Sequence, residues 1–224
     1  MSRLPIWRVS SDYALNISSY CQLDGFEPPI IFPVVFSQKR LERTLPEARV
    51  LRSTPAFSIG GVIPHIELWG RVLAKGNCPA GLICFEENFE SLFDFAEKEF
   101  ILAHEYSHII KNHCPLMYVG GLASSIVKRY VAEVEDKMAK MTISLIWKYI
   151  ETVTAATFKR QFELDADAHA LELTGDRDTA LRTIEKIGTT FAGNLSMPSH
   201  YLVRGKSVIS ILSYQERLDA LKTT

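Results

Sequence analysis

Two histidines four residues apart, with a glutamate after the first, stand in the run FILAHEYSHIIKNH as His104, Glu105 and His108. On a helix, residues four apart lie one turn above each other, so both imidazoles can meet one Zn²⁺. Glu105 then lies beside the metal, placed to take a proton from its bound water. The pattern alone arises by chance in histidine-containing helices, where the residues are surface or satisfied polar groups. The neighbours Ile101, Leu102, Ala103, Ile109 and Ile110 make this helix otherwise apolar and point to burial. Two imidazoles and a carboxylate buried without a partner are costly, and a metal removes that cost.

A catalytic zinc usually has three protein ligands and a water. The run RQFELDADAHALEL supplies candidates for the third: Glu163 and Asp167 are four apart and share a helix face. Glu163 can ligate while Asp167 accepts an Nδ1–H hydrogen bond from a zinc histidine and fixes its tautomer. His169 competes for the third position. Asp165 points away on the same helix, toward solvent. Without the first motif, a charged helix surface would be the ordinary reading of this stretch.

Several elements must position these groups. Eight of the ten prolines fall within the first 79 residues, and none occurs between Pro115 and Pro198. Proline interrupts helices and central strands, so the first third reads as loops, turns and short strands, and the middle as long helices. Strand candidates are 30–37, with Pro33 confining it to an edge or bulge, then 47–54 and 81–85. Residues 58–74 fit a short helix or a strand equally well. Apolar residues at spacings of three and four predict a helix over 89–113, buried on most sides and closed by Pro115. Further helices are expected over 120–138, over 141–173 with a break before Phe162, over 177–188, and in the tail QERLDALK. Gly175 stops the long one. His113 is placed opposite the metal face as a helix-end cap, His65 in a loop, and Gly60-Gly61 in a turn. Leu82, Ile83 and Phe85 sit on a strand able to hold an extended peptide by its backbone.

The combination resembles the gluzincin metallopeptidases related to the CAAX-prenyl endopeptidase and the HtpX-type proteases. Their pattern is a short glycine-led strand, a helix with HExxH, a variable helical stretch, then Glu-x-x-Ala-Asp on a second helix. The matching residues are Gly81 to Phe85, the HExxH run, and Glu163-Leu164-Asp165-Ala166-Asp167, covering about residues 78–174. The resemblance implies that His104, His108 and Glu163 bind zinc, that Glu105 is the general base, and that Ala166 packs where the two helices cross. Lys159 and Arg160 resemble the basic residues that often precede the second motif. The family's membrane members carry hydrophobic hairpins between the motifs; the charged KRYVAEVEDKMAK here looks like the soluble branch. Family members also tend to carry Thr/Ser-His-Pro followed by Arg-Ile, whereas Ser199-His200 is followed by Tyr201, and Glu216-Arg217-Leu218 comes later. His200, Tyr201 and Arg217, in that order, are the candidates to stabilise an oxyanion. His200 reads equally well as a surface loop histidine.

The chain has 224 residues, 47% hydrophobic and 23% charged, with a formal net charge of −1. This composition argues against disorder and against extended nucleic-acid binding, which needs a clustered positive field. The four cysteines form no CxxC pair and are too sparse for a disulfide scaffold. No signal-like apolar run opens the sequence. The most apolar window, 141–158, carries Lys148 and Glu151 and falls short of an integral membrane segment, leaving peripheral association open. The expectation is a single α+β zincin-like domain over 1–224, a small N-terminal sheet with a mainly helical C-terminal part. It is cytoplasmic and hydrolyses peptide bonds of a peptide or protein substrate. The alternatives are a phage- or plasmid-type regulatory metalloprotease with one host target, and an inactive zincin fold acting as a binding protein.

Overall fold

The computed structural model describes residues 7–9, 13–26, 29–36, 55–63, 66–68, 71–74, 78–191, 193–196, 198–204 and 207–224; at 7–9, 36, 63, 66–68, 71–74, 198–204 and 207–211 it describes the backbone only. The first part holds β1 (Trp7–Val9), α1 (Ala14–Leu23), β2 (Ile30–Phe36), β3 (Ala56–Ile63), β4 (Ile66–Leu68), β5 (Arg71–Ala74) and β6 (Cys78–Glu86). Then come α2 (Phe89–Leu92), α3 (Phe95–Ile110), α4 (His113–Ala132), α5 (Lys137–Thr174), α6 (Arg177–Phe191), β7 (Pro198–Arg204), β8 (Ser207–Ser213) and α7 (Tyr214–Thr223). The fold is α+β, a small mixed N-terminal sheet followed by a mainly helical region.

The sheet order is β1-β2-β6-β3, antiparallel at both ends and parallel between β2 and β6. The candidates at 30–37 and 81–85 are β2 and β6, while 47–54 and His65 lie outside the described residues. The stretch 58–74, open between helix and strand, belongs to β3, β4 and β5. Pro33 lies in an inner strand rather than at an edge, but the pairing with β1 runs only from Phe36 to Val34 and ends one residue short of the proline. Gly60-Gly61 is strand, not turn. Gly60 pairs with Gly81 across β3 and β6, and a Cβ on Gly60 would stand 2.3 Å from the Ala80 carbonyl oxygen. The two backbones therefore approach as only glycine permits.

One face of the sheet packs on α3. Phe100, Ile101, Leu102, Ala103, Tyr106 and Ile109 of this helix join Ile83 and Phe85 of β6 and Tyr13, Ile17 and Tyr20 around α1 in one core. Each fully buried large apolar side chain contributes about 1.5–3 kcal/mol. The helix expected over 89–113 is two. Phe93 is extended, and Asp94 starts α3 with a capping box, accepting from Glu97 N at 2.9 Å while Glu97 accepts from Asp94 N. The Asp-x-x-Glu spelling of that box is readable in the sequence.

Pro115 opens a helix instead of closing one. Asn112 takes the left-handed conformation (φ 57°) and α4 starts at once with His113, Cys114 and Pro115, a first turn where proline loses no hydrogen bond. Helix α5 runs unbroken for 38 residues to the left-handed Gly175. Its length is about 57 Å. Its first half pairs with α4 as a projecting hairpin and meets no packing limit, and the segment has no Gly or Pro to break it.

Candidate active site

Two helices carry the site. On α3, His104, Glu105 and His108 occupy the last two turns, His104 and Glu105 buried and His108 half-buried. On α5, Glu163 and Asp167 lie in the stretch that packs against α3, with Ala103, Ala166 and Ala170 fully buried. Small side chains there let the helices approach closely enough for Glu163 to reach both imidazoles.

His104 Nε2 and His108 Nε2 stand 3.2 Å apart. Glu163 completes a triangle, with Oε2 3.4 Å from His104 Nε2 and Oε1 3.6 Å from His108 Nε2. Ligands around a tetrahedral ion at 2.0–2.1 Å are spaced about 3.3 Å apart, so the three atoms fit a metal of that size. The outer ring nitrogens point the same way. His104 Nδ1 lies 2.8 Å from Asp167 Oδ1, and His108 Nδ1 lies 2.8 Å from His113 Nδ1. With protons on both Nδ1 atoms, two lone pairs and a carboxylate converge on one point, an arrangement that a cation relieves. His104, His108 and Glu163 are the His/Cys/Asp/Glu group among the described residues able to hold a divalent metal.

Without a metal, a proton takes that place. Burial disfavours a charged His104, but the Asp167 carboxylate and the hydrogen bonds of Asp167 and Glu163 outweigh it and push its pKa up to about 10. The apo protein therefore holds a stabilising proton that is fully effective below the unfolded value of 6.5 and is lost as pH rises through about 10. Metal binding must expel it. We expect release of close to one proton per metal between about pH 7 and 9, with affinity rising up to ~tenfold per pH unit. Calorimetric titration in buffers of different ionisation enthalpy measures this; an affinity flat across that window would contradict the proton-filled site.

Glu105 is 8% exposed. Burial raises its pKa; His104 and a hydrogen bond with Ser58 of β3 pull it down, nearby Glu163 raises it, and the balance is upward. A carboxylate moved toward neutrality suits a general base. Asp167 is deprotonated despite burial, because Arg217 and His104 hold its carboxyl below the usual range. Arg217 reaches it from α7 in two parallel bonds, Nε to Oδ2 at 2.7 Å and Nη2 to Oδ1 at 2.6 Å, while Nη1 stands 3.9 Å from Glu163 Oε2. The guanidinium is thus tied to Asp167, and of the three oxyanion candidates it becomes the orienting group of the cluster. The backbone of His200 pairs with Leu212 in the β7–β8 ribbon, which lies against α5; the side chains of His200 and Tyr201 lie outside the described residues.

One candidate ligand is corrected. His169 does not face the histidine pair: its Nδ1 meets Ser107 Oγ at 2.9 Å and its Nε2 meets Asp24 Oδ1 at 3.1 Å, pinning α5 to α3 and α1. Asp165, expected toward solvent, is partly exposed and accepts from the exposed Gln161. The residue that the sequence missed is His113. Placing it opposite the metal face assumes that α3 continues, whereas the left-handed Asn112 turns the chain and brings His113 back to His108. Its ring stacks on Phe162 at 4.1 Å, next to Glu163, and burial holds its pKa down at about 4, so it is neutral and can accept the His108 proton. Replacing His113 by Leu is expected to weaken metal affinity by about 10-fold to 100-fold, read by competition with a chromogenic chelator; unchanged affinity would leave His113 with a packing role only.

An HExxH helix crossed by a second helix bearing the distal glutamate defines a gluzincin metalloendopeptidase site. Peptidase family M48 matches residues 72–212, more than half of the sequence, and the chain belongs to this family. No curated protein and no solved structure matches it. The matched span runs from β5 through β8 and stops short of Arg217.

Proposed function

We propose that the protein is a zinc endopeptidase with His104 Nε2, His108 Nε2 and Glu163 as ligands and Glu105 as the general base. The observation that carries the reading is the triangle of two Nε2 atoms and one carboxylate at tetrahedral spacing, with the buried Glu105 carboxylate on the helix of the two histidines. Zinc, when bound, lowers the pKa of water toward 7 and polarises the scissile carbonyl. Glu105 accepts the proton of the attacking water and hands it to the leaving amine. Ser58 holds the Glu105 carboxylate by a hydrogen bond, fixing where the proton is taken. Asp167 and His113 keep both imidazoles in the tautomer that leaves Nε2 free.

The peptide-holding strand shifts from β6 to β3. Strand β6 is paired on both sides along its length, so Leu82, Ile83 and Phe85 have no free backbone edge. Strand β3 is the outer strand of the sheet and lies over α3; an extended substrate added along it would pass Ser58 and Glu105. His200, on the ribbon against α5, is the group we assign to the oxyanion. The four cysteines are free, which suits a cytoplasmic setting.

Incubating the zinc-loaded protein with an unfolded protein and sequencing the products by mass spectrometry tests the reading. Internal cleavage is expected. Products trimmed only from their ends would replace the endopeptidase by an exopeptidase.

A further inference from the structure

Asn112 stands at a helix-cap position and does not cap. It precedes α4, where an asparagine side chain ordinarily accepts from the second or third N–H of the helix. The third residue of α4 is Pro115, which has no N–H, and the Asn112 side chain makes no cap bond. It reaches away from the helix instead, and its Oδ1 accepts from Val62 N of β3 at 2.7 Å. Strand and junction are pressed together here. A Cβ on Gly61 would stand 2.6 Å from the same oxygen and 2.7 Å from Pro115 Cγ.

The ladder shows which side of β3 this bond closes. Glu86 N donates to Pro55 O at 3.0 Å, and the β3–β6 register runs without a shift from Ala56 opposite Phe85 to Ile63 opposite Cys78. In an antiparallel pair, successive residues alternate between bonding the partner strand and facing away from it. The odd-numbered residues of β3 therefore bond β6, and Ala56, Ser58, Gly60 and Val62 turn N–H and C=O to the outer side. Ala56 is buried, only 3% exposed, and the Val62 N–H is taken. Between them lie Ser58 and Gly60, both half-buried and without a strand bonded on that side among the described residues. Ser58 also holds Glu105, so this short stretch of edge lies beside the general base.

We propose that Asn112 is the stop of the substrate edge: it withholds Val62 from the substrate main chain and leaves Ser58 and Gly60 as the window along which an extended peptide pairs. The proposal rests on the reading that a peptide adds along β3. Two outward residues offer two N–H and two C=O groups, so the ladder grips a short segment of main chain and releases it where the α3–α4 junction begins. The stop removes a hydrogen bond without walling off the cleft, so the rest of a longer substrate leaves the edge there, as internal cleavage requires. The same residue turns the chain that brings His113 to His108. One left-handed asparagine thereby fixes the end of the window relative to the metal position.

Asn112→Gly and Asn112→Asp separate the side chain from the turn. Glycine keeps the left-handed backbone and frees the Val62 N–H; aspartate also tolerates that backbone and keeps an acceptor. The probes are capped peptides cut from an unfolded protein around a mapped cleavage site, lengthened one residue at a time at each end, at equal zinc content. In wild type and Asn112→Asp, kcat/KM should stop rising, on one side, at the residue that pairs with Gly60. In Asn112→Gly that limit should move out by two residues, the spacing of outward-facing positions, with a gain of about 2-fold to 10-fold. Peptides cleaved with the same limit in all three forms would overturn the stop and leave the endopeptidase intact. If wild type cleaves nothing, the endopeptidase reading fails on its own, and amide exchange with peptides of the same unfolded protein decides the stop in the zinc-loaded Glu105→Gln background. Peptide should slow exchange at Ser58 and Gly60 in every form, and at Val62 in Asn112→Gly alone. Val62 responding alike in all forms, or no amide of β3 responding, would overturn the stop.

Discussion

Replacing Glu105 by Gln is expected to lower kcat by at least about 10²-fold while leaving metal stoichiometry and fold in place. Glutamine has nearly the same volume, keeps a carbonyl oxygen for the Ser58 hydroxyl, and fits the buried run of α3. It cannot take a proton. Glu105 is not one of the three groups that face each other across the metal position, so affinity for the ion should move little. The wild-type pH profile should carry the same signature: since the Glu105 pKa is raised, mainly by burial, activity should climb with pH from above the ordinary carboxylate range toward neutrality. Hydrolysis by wild type and Glu105→Gln at equal zinc content is the comparison. Activity surviving in the variant would mean another base. A wild type without activity that still captures a protein partner, equally with the variant, would mean a binding protein on this fold.

The largest effect on stability should come from Asp167. The sequence places this carboxylate beside a zinc histidine, from which Asp167→Asn would appear mild. The structure adds Arg217, buried and bonded to both Asp167 oxygens. Asparagine would leave that guanidinium uncompensated except for Glu163 at 3.9 Å. Breaking a buried pair in this way costs about 3–5 kcal/mol, with a further loss of metal affinity of about 10-fold to 100-fold. Asp167→Asn combined with Arg217→Met should recover part of the stability, because the stranded charge is gone. A double-mutant cycle by denaturant unfolding measures the coupling; additive single effects would show that the pair is not a unit. The pair also sets an acid limit. Because the folded Asp167 pKa lies below its ordinary 3.8, its stabilisation is complete above that pH and is lost as pH falls through the lowered value.

The chemistry-bearing residues were legible because their spacing follows from helix geometry: His104 and His108 one turn apart, Glu163 and Asp167 one turn apart. The packing of α3 was legible from its apolar girth, and β6 from its glycine-led apolar run. What escaped depends on where the chain turns. A single left-handed residue, Asn112, decides whether His113 faces away from the metal or supports His108, and a helix read through 113 gives the wrong answer. Arg217 sits on α7, distant in sequence from the residue it neutralises, and no local spacing marks it. The unbroken α5 runs against the expectation that a helix spanning about 50 Å breaks; with no residue buried ahead of Glu163, packing imposes no break there.

Chelation followed by stoichiometric zinc reconstitution is the most direct test of the metalloendopeptidase account. Protein stripped of metal should lose cleavage of an unfolded substrate, and one equivalent of zinc per chain should restore it in wild type but not in Glu163→Ala. Cleavage that continues undiminished in the stripped protein, or that zinc restores equally in Glu163→Ala, would contradict the assignment of His104, His108 and Glu163 as the catalytic metal site.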